Sequence, residues 1–403
     1  MSPTPYSVQL DADTARRYVE TGATMLLLDV PEHTVVGIDQ QSFVVGPKFC
    51  GVKMLPPGPH MISYNAASSG GAELAPTTSF FVHAPARSVL VRRWDARAEL
   101  LAELEKEEAE RYTAGVRRFD FDFGLAPYNL ASYAQWRALS EYLTPAVLER
   151  LSPVQGAHFS ITAEADPTLT APRSAAEARL AAQLAGGAPP GAASGGECVA
   201  GNELGVGRCR HTRLPRLVKA PGMTAAELTA ANLDRSAALE EVLAQAYGGD
   251  EAGLLGELQF AFLAFLMGHS LEGYAQWKAL LALALSCEAA PLGSRSQLYR
   301  RLLSALACQL ALCLGLQSGS GLGSSGAGPL GLPIAEELLA DSFLRRLFAR
   351  FFEAVREGGP RGAPVQAEVD ALRRLLAERL GWDFDASELG DEDNEDAPVV
   401  VEL

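Results

Sequence analysis

Residues 24–94 carry seven short apolar or alternating runs separated by turn-forming residues, a spacing that suits strands and leaves little room for helices. The turn chemistry is explicit, with Gly-Pro at 46–47 and Pro-Pro-Gly-Pro at 56–59. The runs are 25–28, 35–38, 43–45, 49–54, 61–64, 79–82 and 89–94. Many short strands with regular turns are typical of an antiparallel sandwich or barrel. We therefore predict an N-terminal, antiparallel β-sandwich-like domain over residues 1–162.

Helical patterns follow the strands. A narrow apolar stripe in 97–112 predicts a surface helix, and helices at 130–142 and 145–151 are expected to close the domain. From Thr224 the chain is helical, beginning with the capping box Thr224-Ala-Ala-Glu227. Further helices are predicted at 234–247, 253–267, 271–288, 296–316, 334–356 and 365–380. An all-α C-terminal domain over 208–382 completes a two-domain α+β fold.

Two segments have compositions that do not support a packed core. Residues 163–207 are rich in Gly, Pro and Ala and have neither a helical nor a strand period, which predicts a flexible linker. Residues 383–403 carry nine acidic side chains and no Lys or Arg, which predicts a solvated tail. A Gly/Ser loop at 318–328 has no role that the sequence indicates.

Net charge and the length of the apolar runs exclude two classes of partner. The formal net charge is −15, so the chain as a whole repels nucleic acid, and we expect no direct nucleic-acid binding. The longest strongly apolar uncharged run, 258–271, is too short for a membrane span of about 20 residues. The sequence therefore indicates neither a basic nucleic-acid domain nor membrane association.

The acidic tail ends in an apolar segment, whose composition differs from that of a solvated spacer. Val399, Val400 and Val401 follow the acidic residues and have high β propensity. A β-prone segment on an acidic spacer suits strand addition to the sheet edge of a partner. Two other interpretations stay open, namely pairing with the chain's own N-terminal domain and simple disorder.

Motifs that could carry chemistry are weak. Asp122-Phe123-Gly124 spells a kinase metal motif without the other kinase signatures, and is interpreted as an edge strand ending in a turn. The glycine pattern at 321–326 lies within a Ser/Gly run and does not follow a strand. Cys198, Cys209 and His211 lack the spacing and the fourth ligand of a zinc site. His60 is expected to pack or hydrogen-bond beside its turn. We predict no enzyme, no metal and no cofactor.

Four segments together resemble the A-one cistron-splicing factors, the Aar-two family of spliceosome assembly factors. The first segment extends from Leu28 to His60. It includes Leu-Asp-Val-Pro-Glu-His and Gly-Pro-Lys-Phe-Cys-Gly-Val-Lys-Met-Leu-Pro-Pro-Gly-Pro-His. The other matching segments are 125–153, 224–240 and 255–288. The resemblance covers roughly residues 20–316; the Gly/Ser loop and the acidic tail depart from it.

The resemblance implies a fold and a role. Family members have a β-rich domain linked to a VHS-like helical domain, and act as non-enzymatic chaperones in U-five snRNP biogenesis. They bind the large scaffold protein around its RNase H-like and Jab/MPN domains and hold off the helicase and RNA until release. We expect a monomer in cytoplasm and nucleus, with no catalytic residue to carry over. Phosphorylation is a plausible release switch. Its candidate residues in the linker are Thr168, Thr170, Ser174 and Ser194.

Two alternatives remain. A generic trafficking or ubiquitin-type adaptor would share a VHS-like helical domain, because fold does not determine function. Such an adaptor would have no reason to carry the signature at 28–60. A hydrolase with an unrecognised site would need a cleft with convergent, pKa-perturbed groups.

Overall fold

The computed structural model describes residues 12–68, 71, 73–153, 158–165, 206–215, 224–317 and 342–384. Packing divides the chain into two compact units. The first unit contains residues 1–215 and 242–280, and the second contains 216–241 and 281–403. The domain boundaries predicted from composition fall partly outside the described residues, and they stay predictions.

The first unit contains two β-sheets with helices around them. Its strands are β1 (Ala23–Leu28), β2 (Val35–Ile38), β3 (Gln41–Val44), β4 (Gly51–Leu55), β5 (Gly58–Asn65), β6 (Thr78–Ala84), β7 (Val89–Asp95), β8 (Leu100–Glu103), β9 (Leu125–Pro127), β10 (His158–Ser160) and β11 (Val206–Gly207). Its helices up to residue 165 are α1 (Ala12–Thr21), α2 (Lys106–Arg117), α3 (Tyr133–Leu139), α4 (Pro145–Leu151) and α5 (Ile161–Ala165). The two-domain α+β class, with a β-sandwich-like domain before a helical region, is confirmed.

The sheets are mixed rather than purely antiparallel, which corrects one detail of the prediction. The first sheet has the order β8-β7-β1-β4-β9, and the second has the order β11-β10-β6-β5-β2-β3. Three neighbouring pairs are parallel, β1 with β7, β4 with β9, and β10 with β11. Turn residues in a sequence reveal hairpins, but parallel pairs join strands distant in the chain, so local patterns do not show them.

Alternate side chains of the two sheets face each other and form the main core. Met25, Val52 and Trp94 from the first sheet belong to the same buried cluster as Ile62 and Phe80 from the second. The outer face of each sheet is covered as well, by α2 over the first sheet and by the helix α8 (Glu251–Gly268) over the second. The first unit therefore has four layers, helix, sheet, sheet and helix.

The predicted surface helix at 97–112 is wrong in its first half. Residues Leu100–Glu103 form strand β8, which pairs antiparallel with β7, and helix α2 begins only at Lys106. Leu100 and Leu101 are buried in the inter-sheet core. Leu-Leu-Ala-Glu has good helix propensity, but the hairpin with β7 buries both leucines, and packing overrides propensity.

The remaining helices belong to the first unit, to the second, or to both. They are α6 (Ala225–Leu233), α7 (Ser236–Tyr247), α8, α9 (Leu271–Leu285), α10 (Ala289–Leu292), α11 (Ser296–Gln317), α12 (Ser342–Glu357) and α13 (Ala363–Leu380). The division between units falls within α7 and within α9. The predicted capping box at Thr224 and Glu227 is confirmed at the start of α6. The predicted break around His269 is also confirmed, since α8 ends at Gly268 and α9 begins at Leu271.

Helix α8 is the one described helix that is long and apolar enough to cross a membrane. Most of it, 83%, is buried inside the protein. It also carries the buried polar residues Glu257 and Gln259. These features are those of a core helix of the first unit.

Candidate functional site

The residues predicted to bind the partner or to be modified lie outside the described part of the chain. This holds for Val399, Val400 and Val401 and for the modification candidates. The modification candidates are Thr168, Thr170, Ser174 and Ser194. The glycine pattern at 321–326 and Cys198 also lie outside it. A candidate site must therefore be built from the described side chains, and the most connected group surrounds Glu257.

Glu257 is a fully buried carboxylate in the middle of α8. Its Oε1 accepts hydrogen bonds from the backbone N–H of Thr212 at 2.7 Å and from Gln276 Nε2 at 2.9 Å. Its Oε2 accepts from Arg150 Nη2 at 2.9 Å, Thr212 Oγ1 at 2.6 Å and the Tyr247 hydroxyl at 3.1 Å. Five hydrogen-bond donors satisfy the carboxylate. They offset the free-energy cost of burying it, which would be large for a carboxylate without partners.

Thr212 belongs to a short segment, residues 206–215, which we name the strap. The strap begins as strand β11 beside β10 and then runs along the end of α4. The backbone N–H of Arg210 donates to the Leu151 carbonyl at 2.8 Å, and its guanidinium donates to the carbonyls of Ser152 and Glu149. Arg208 forms an ion pair with Glu272 of α9. The strap thus joins the sheet, α4, α8 and α9 within the first unit.

His211 of the strap has a largely buried imidazole that forms no hydrogen bond with the described residues. Its Nδ1 lies 3.9 Å from Glu257 Oε1, and neither ring nitrogen has a hydrogen-bond partner among the described residues. Burial lowers the pKa of His211 to about 4, although Glu257 acts in the opposite direction. Its ring packs edge-on against Phe260 at 6.1 Å. The geometry is that of a neutral packing residue.

Of the three residues considered as zinc ligands, Cys209 and His211 lie in the described part of the chain, and they belong to no metal-binding cluster there. Cys209 is buried, and burial raises the pKa of its thiol. No cluster of three or more His, Cys, Asp or Glu side chains suited to a metal occurs in the part of the chain that the structure describes. Within the strap, Cys209 is buried and the His211 ring packs against Phe260.

A second buried polar group lies between the sheets around Asp39. Asp39 Oδ2 lies 2.6 Å from His60 Nδ1 and accepts the Tyr128 hydroxyl at 2.7 Å, while Oδ1 accepts the Met61 N–H at 2.9 Å. His60 Nε2 lies 2.7 Å from the Pro56 carbonyl oxygen. A carbonyl can only accept, and an ionised carboxylate can only accept, so the imidazole donates from both nitrogens and is positively charged.

The electrostatics of this group agree with that protonation state. Burial alone lowers the pKa of His60, but the Asp39 carboxylate and the hydrogen bonds to Asp39 and Pro56 together raise it. Burial and the Asp39 charge raise the pKa of the Tyr128 hydroxyl, which keeps it a donor. The expectation that His60 hydrogen-bonds beside its turn is confirmed. The bonds of Asp39 hold the β2–β3 turn to β5 and to the segment after β9.

The Asp-Phe-Gly triplet at 122–124 is a one-turn helix that precedes the edge strand β9. The predicted edge strand is present, but the turn stands before it. Asp122 Oδ1 binds Lys53 Nζ at 2.5 Å. The carboxylate therefore anchors this loop to β4 and has the role of a structural ion pair.

Sequence reasoning missed the partners of Glu257 and Asp39, although one signal was present. Glu257 and Gln259 interrupt an otherwise apolar helix, and a polar residue inside an apolar run indicates a buried hydrogen-bonding role. Gln259 Oε1 accepts from the Tyr142 N–H at 2.8 Å, and its Nε2 donates to the Ala138 carbonyl at 3.0 Å. The partners of Glu257 and Gln259 lie 10 to 121 residues away in the chain, and no local pattern identifies them.

Comparison with known proteins gives a family match over both parts of the chain. The AAR2 N-terminal domain matches residues 21–153, and the AAR2 C-terminal repeat region matches residues 211–385. The chain is 31% identical to the mouse protein named "Protein AAR2 homolog" over 405 residues, with 98% of each chain covered. It is also 31% identical to the human homolog over 412 residues and 26% identical to the Caenorhabditis elegans homolog over 368 residues. Coverage is 98% of each chain for the human protein, and 90% of this chain and 95% of the other for the nematode protein.

Proposed function

The chain belongs to the AAR2 (Aar-two) family, and on that premise we propose that it is a non-enzymatic pre-mRNA splicing factor. In this proposal it acts as an assembly chaperone in U-five snRNP biogenesis. It binds the large scaffold protein of that particle around the RNase H-like and Jab/MPN domains, and holds off helicase and RNA until release. The observation that carries the proposal is the match to both family regions over nearly the whole chain.

The geometry of the described residues supports a binding role. The hydrogen bonds of the buried titratable groups around Glu257 and Asp39 connect helices, strands and the strap to one another. The N-terminal match spans the signature at 28–60, which a generic adaptor would have no reason to carry. This observation favours the splicing role over the adaptor alternative.

The proposal includes a contact by the tail. Val399, Val400 and Val401 would add as a strand to a sheet edge of the scaffold, with the acidic residues 391–396 as a spacer. Main-chain pairing supplies affinity in this mode, while alternate side chains supply selectivity. Thr168, Thr170, Ser174 and Ser194 remain the proposed positions for a phosphorylation that triggers release.

Binding of the full-length chain to a recombinant scaffold fragment that contains both domains tests the proposal. We expect a stable complex with the wild type, measured by isothermal titration calorimetry. Truncation after Gly390 is expected to weaken binding several-fold and to leave the melting temperature nearly unchanged. A scrambled tail with the same composition is the matched control for charge, and it should bind as weakly as the truncation.

Three other results would contradict parts of the proposal. If the wild type does not bind the fragment, the scaffold assignment is wrong. If truncation lowers the melting temperature of the free protein, the tail is an internal strand of this chain. If neither binding nor melting changes, the tail makes no contact in the complex.

A further inference from the structure

Two phenylalanines in the loop after α2 are the most solvent-exposed large apolar side chains among the described residues. Phe119 is 67% exposed and Phe123 is 72% exposed. Single exposed apolar residues are common and require no explanation. Two exposed aromatic rings four positions apart in one short loop do require an explanation, because burying an aromatic side chain gives a large gain in free energy that is forgone when it stays in water.

Phe119 also occupies a backbone position that is unfavourable for it. Its N–H donates to the Val116 carbonyl at 3.0 Å, and the next N–H, of Asp120, donates to the Gly115 carbonyl at 3.0 Å. This bond pair is the Schellman motif that ends a helix, and its left-handed position is usually glycine. Phe119 has φ +65° there. A bulky residue in this conformation is strained, so folding stability does not explain the choice of Phe.

Three other non-glycine residues with positive φ have intramolecular reasons. Asp39 carries the buried hydrogen-bond group between the sheets. His269 ends α8, and its Nδ1 lies 3.1 Å from Thr77 Oγ1. Arg87 donates from Nε to the Glu20 carbonyl at 3.1 Å. The Phe119 ring extends into solvent instead, which points to a contact outside the chain.

Backbone hydrogen bonds and neighbouring side chains order the loop that carries the two rings. The Asp122 N–H donates to the Phe119 carbonyl at 3.2 Å, which closes a turn between the two phenylalanines. Phe121, between them, packs under α2 against Tyr112, and Asp122 is tied to Lys53 of β4. The Gly124 carbonyl accepts from the Cys50 N–H at 2.8 Å. Because the backbone that carries the two rings is already ordered, their docking costs less entropy than docking of a free segment, which is typical of an interaction hot spot.

The charge around the rings is locally positive. At the end of α2, in the loop and in the adjoining β4 region lie four cations, Arg117, Arg118, Lys48 and Lys53, against two carboxylates. Both carboxylates are paired within the loop region, Asp120 with Arg118 and Asp122 with Lys53. Lys48 and Arg117 are exposed and form no ion pair with the described residues. In a chain of net charge −15, this patch attracts an acidic partner surface.

We infer that Phe119 and Phe123 form a docking surface for a protein partner that offers an apolar pocket rimmed by carboxylates. The inference rests on the proposed function, because it identifies that partner with the scaffold protein. The two rings enter the pocket, and Lys48 and Arg117 face its acidic rim. The strain at Phe119 is the cost of presenting an aromatic ring at the end of α2.

The test uses the full-length chain and the scaffold fragment that contains the RNase H-like and Jab/MPN domains. Phe119→Gly and Phe123→Ala are each expected to weaken binding at least tenfold. Phe119→Gly should leave the melting temperature unchanged or raise it, because glycine suits the left-handed position. A Lys48→Glu, Arg117→Glu double variant should slow association several-fold and reduce its salt dependence.

Two control variants separate backbone and packing effects from the contact. Glu99→Gly changes another exposed residue at positive φ, 53°, in the β7–β8 turn, and should leave binding unchanged. Phe121→Ala removes the packed aromatic of the same loop and should lower the melting temperature. If Phe119→Gly lowers the melting temperature as much as Phe121→Ala does, Phe119 is a packing residue and the inference is wrong.

The remaining outcomes distinguish this inference from the proposed function. If the wild type binds the fragment and both Phe119→Gly and Phe123→Ala bind it with the same affinity, the docking surface is wrong and the proposed function stands. Absence of wild-type binding overturns both. Binding of a single-stranded 20-nucleotide RNA that Phe119→Gly abolishes would assign the surface to base stacking instead. A wild-type dimer that Phe119→Gly dissociates would assign it to self-association.

Discussion

Gly51 begins β4 at the point where that strand pairs with β1, with Gly51 opposite Leu26. It has φ +128°, and an added Cβ would lie 2.0 Å from the Met25 carbonyl oxygen. We expect Gly51→Ala to reduce the free energy of unfolding by about 2–4 kcal/mol, since both the backbone conformation and the packing oppose a side chain. Chemical denaturation measures it. Gly46→Ala is the matched control, because nothing lies within 4 Å of a Cβ at that position.

This prediction also separates a structural role of the signature at 28–60 from a direct contact role. The Gly51→Ala variant should lose more stability than partner affinity, when affinity is measured on the fraction that remains folded. A fully stable Gly51→Ala variant that no longer binds the scaffold fragment would contradict the structural role and make this segment part of the interface.

His60 makes the stability of the first unit pH-dependent. Its pKa is raised in the folded chain above the ordinary value of 6.5 by the Asp39 carboxylate, against the opposing effect of burial. A group with a raised folded pKa stabilises fully below its unfolded pKa, and that contribution is lost as pH rises through the folded pKa. We therefore expect the stability difference between wild type and His60→Gln to shrink as pH is raised from 6 toward the raised pKa. Melting curves of both proteins across that range measure it, and a difference that grows with pH would contradict the charged assignment.

At the scale of elements, the strap depends on Thr212. The Thr212 hydroxyl donates to Glu257 Oε2 at 2.6 Å and accepts from Arg150 Nη1 at 2.9 Å. Thr212→Val keeps the shape and leaves both partners short of a bond, which should cost about 1–3 kcal/mol. Faster hydrogen exchange at 206–215 and a lower melting temperature are expected. Arg213→Ala is the control, since Arg213 is exposed and should change stability by less than about 0.5 kcal/mol.

The elements also show how far sequence reasoning reaches. The seven predicted strand runs correspond to β1–β7, because hairpin turns and alternating burial leave a local signature. The sequence pattern at strand β8 predicts helix, and β10 and β11 have only three and two residues, too few for a periodic pattern. The same limit applies to the candidate site. Local sequence shows that Glu257 is a polar residue in an apolar helix, but the bonds to Arg150, Thr212 and Tyr247 arise from tertiary folding.

At the scale of the whole molecule, the first unit is assembled from segments on both sides of 166–205. Phe81 of β6 packs against Phe260 of α8 in a tilted arrangement with ring centroids 4.6 Å apart, and Glu257 of α8 binds Arg150 of α4. Removal of α8 would uncover the outer face of the second sheet. A fragment ending before the strap is therefore expected to aggregate, because an exposed apolar sheet face drives association.

An engineered protease site near residue 190 tests this organisation directly. After cleavage we expect the two fragments to elute together in size-exclusion chromatography and to separate only under denaturing conditions. The reason is that three contacts across the cleavage point persist without a covalent connection: β11 pairs with β10, the Arg210 N–H donates to the Leu151 carbonyl, and Arg150 binds Glu257. The cleaved Thr212→Val protein should dissociate at lower denaturant concentration than the cleaved wild type, because it lacks the bond from Arg150 to the Thr212 hydroxyl, which crosses between the fragments. Two separately eluting, folded fragments would show instead that each side of 166–205 is an independent domain.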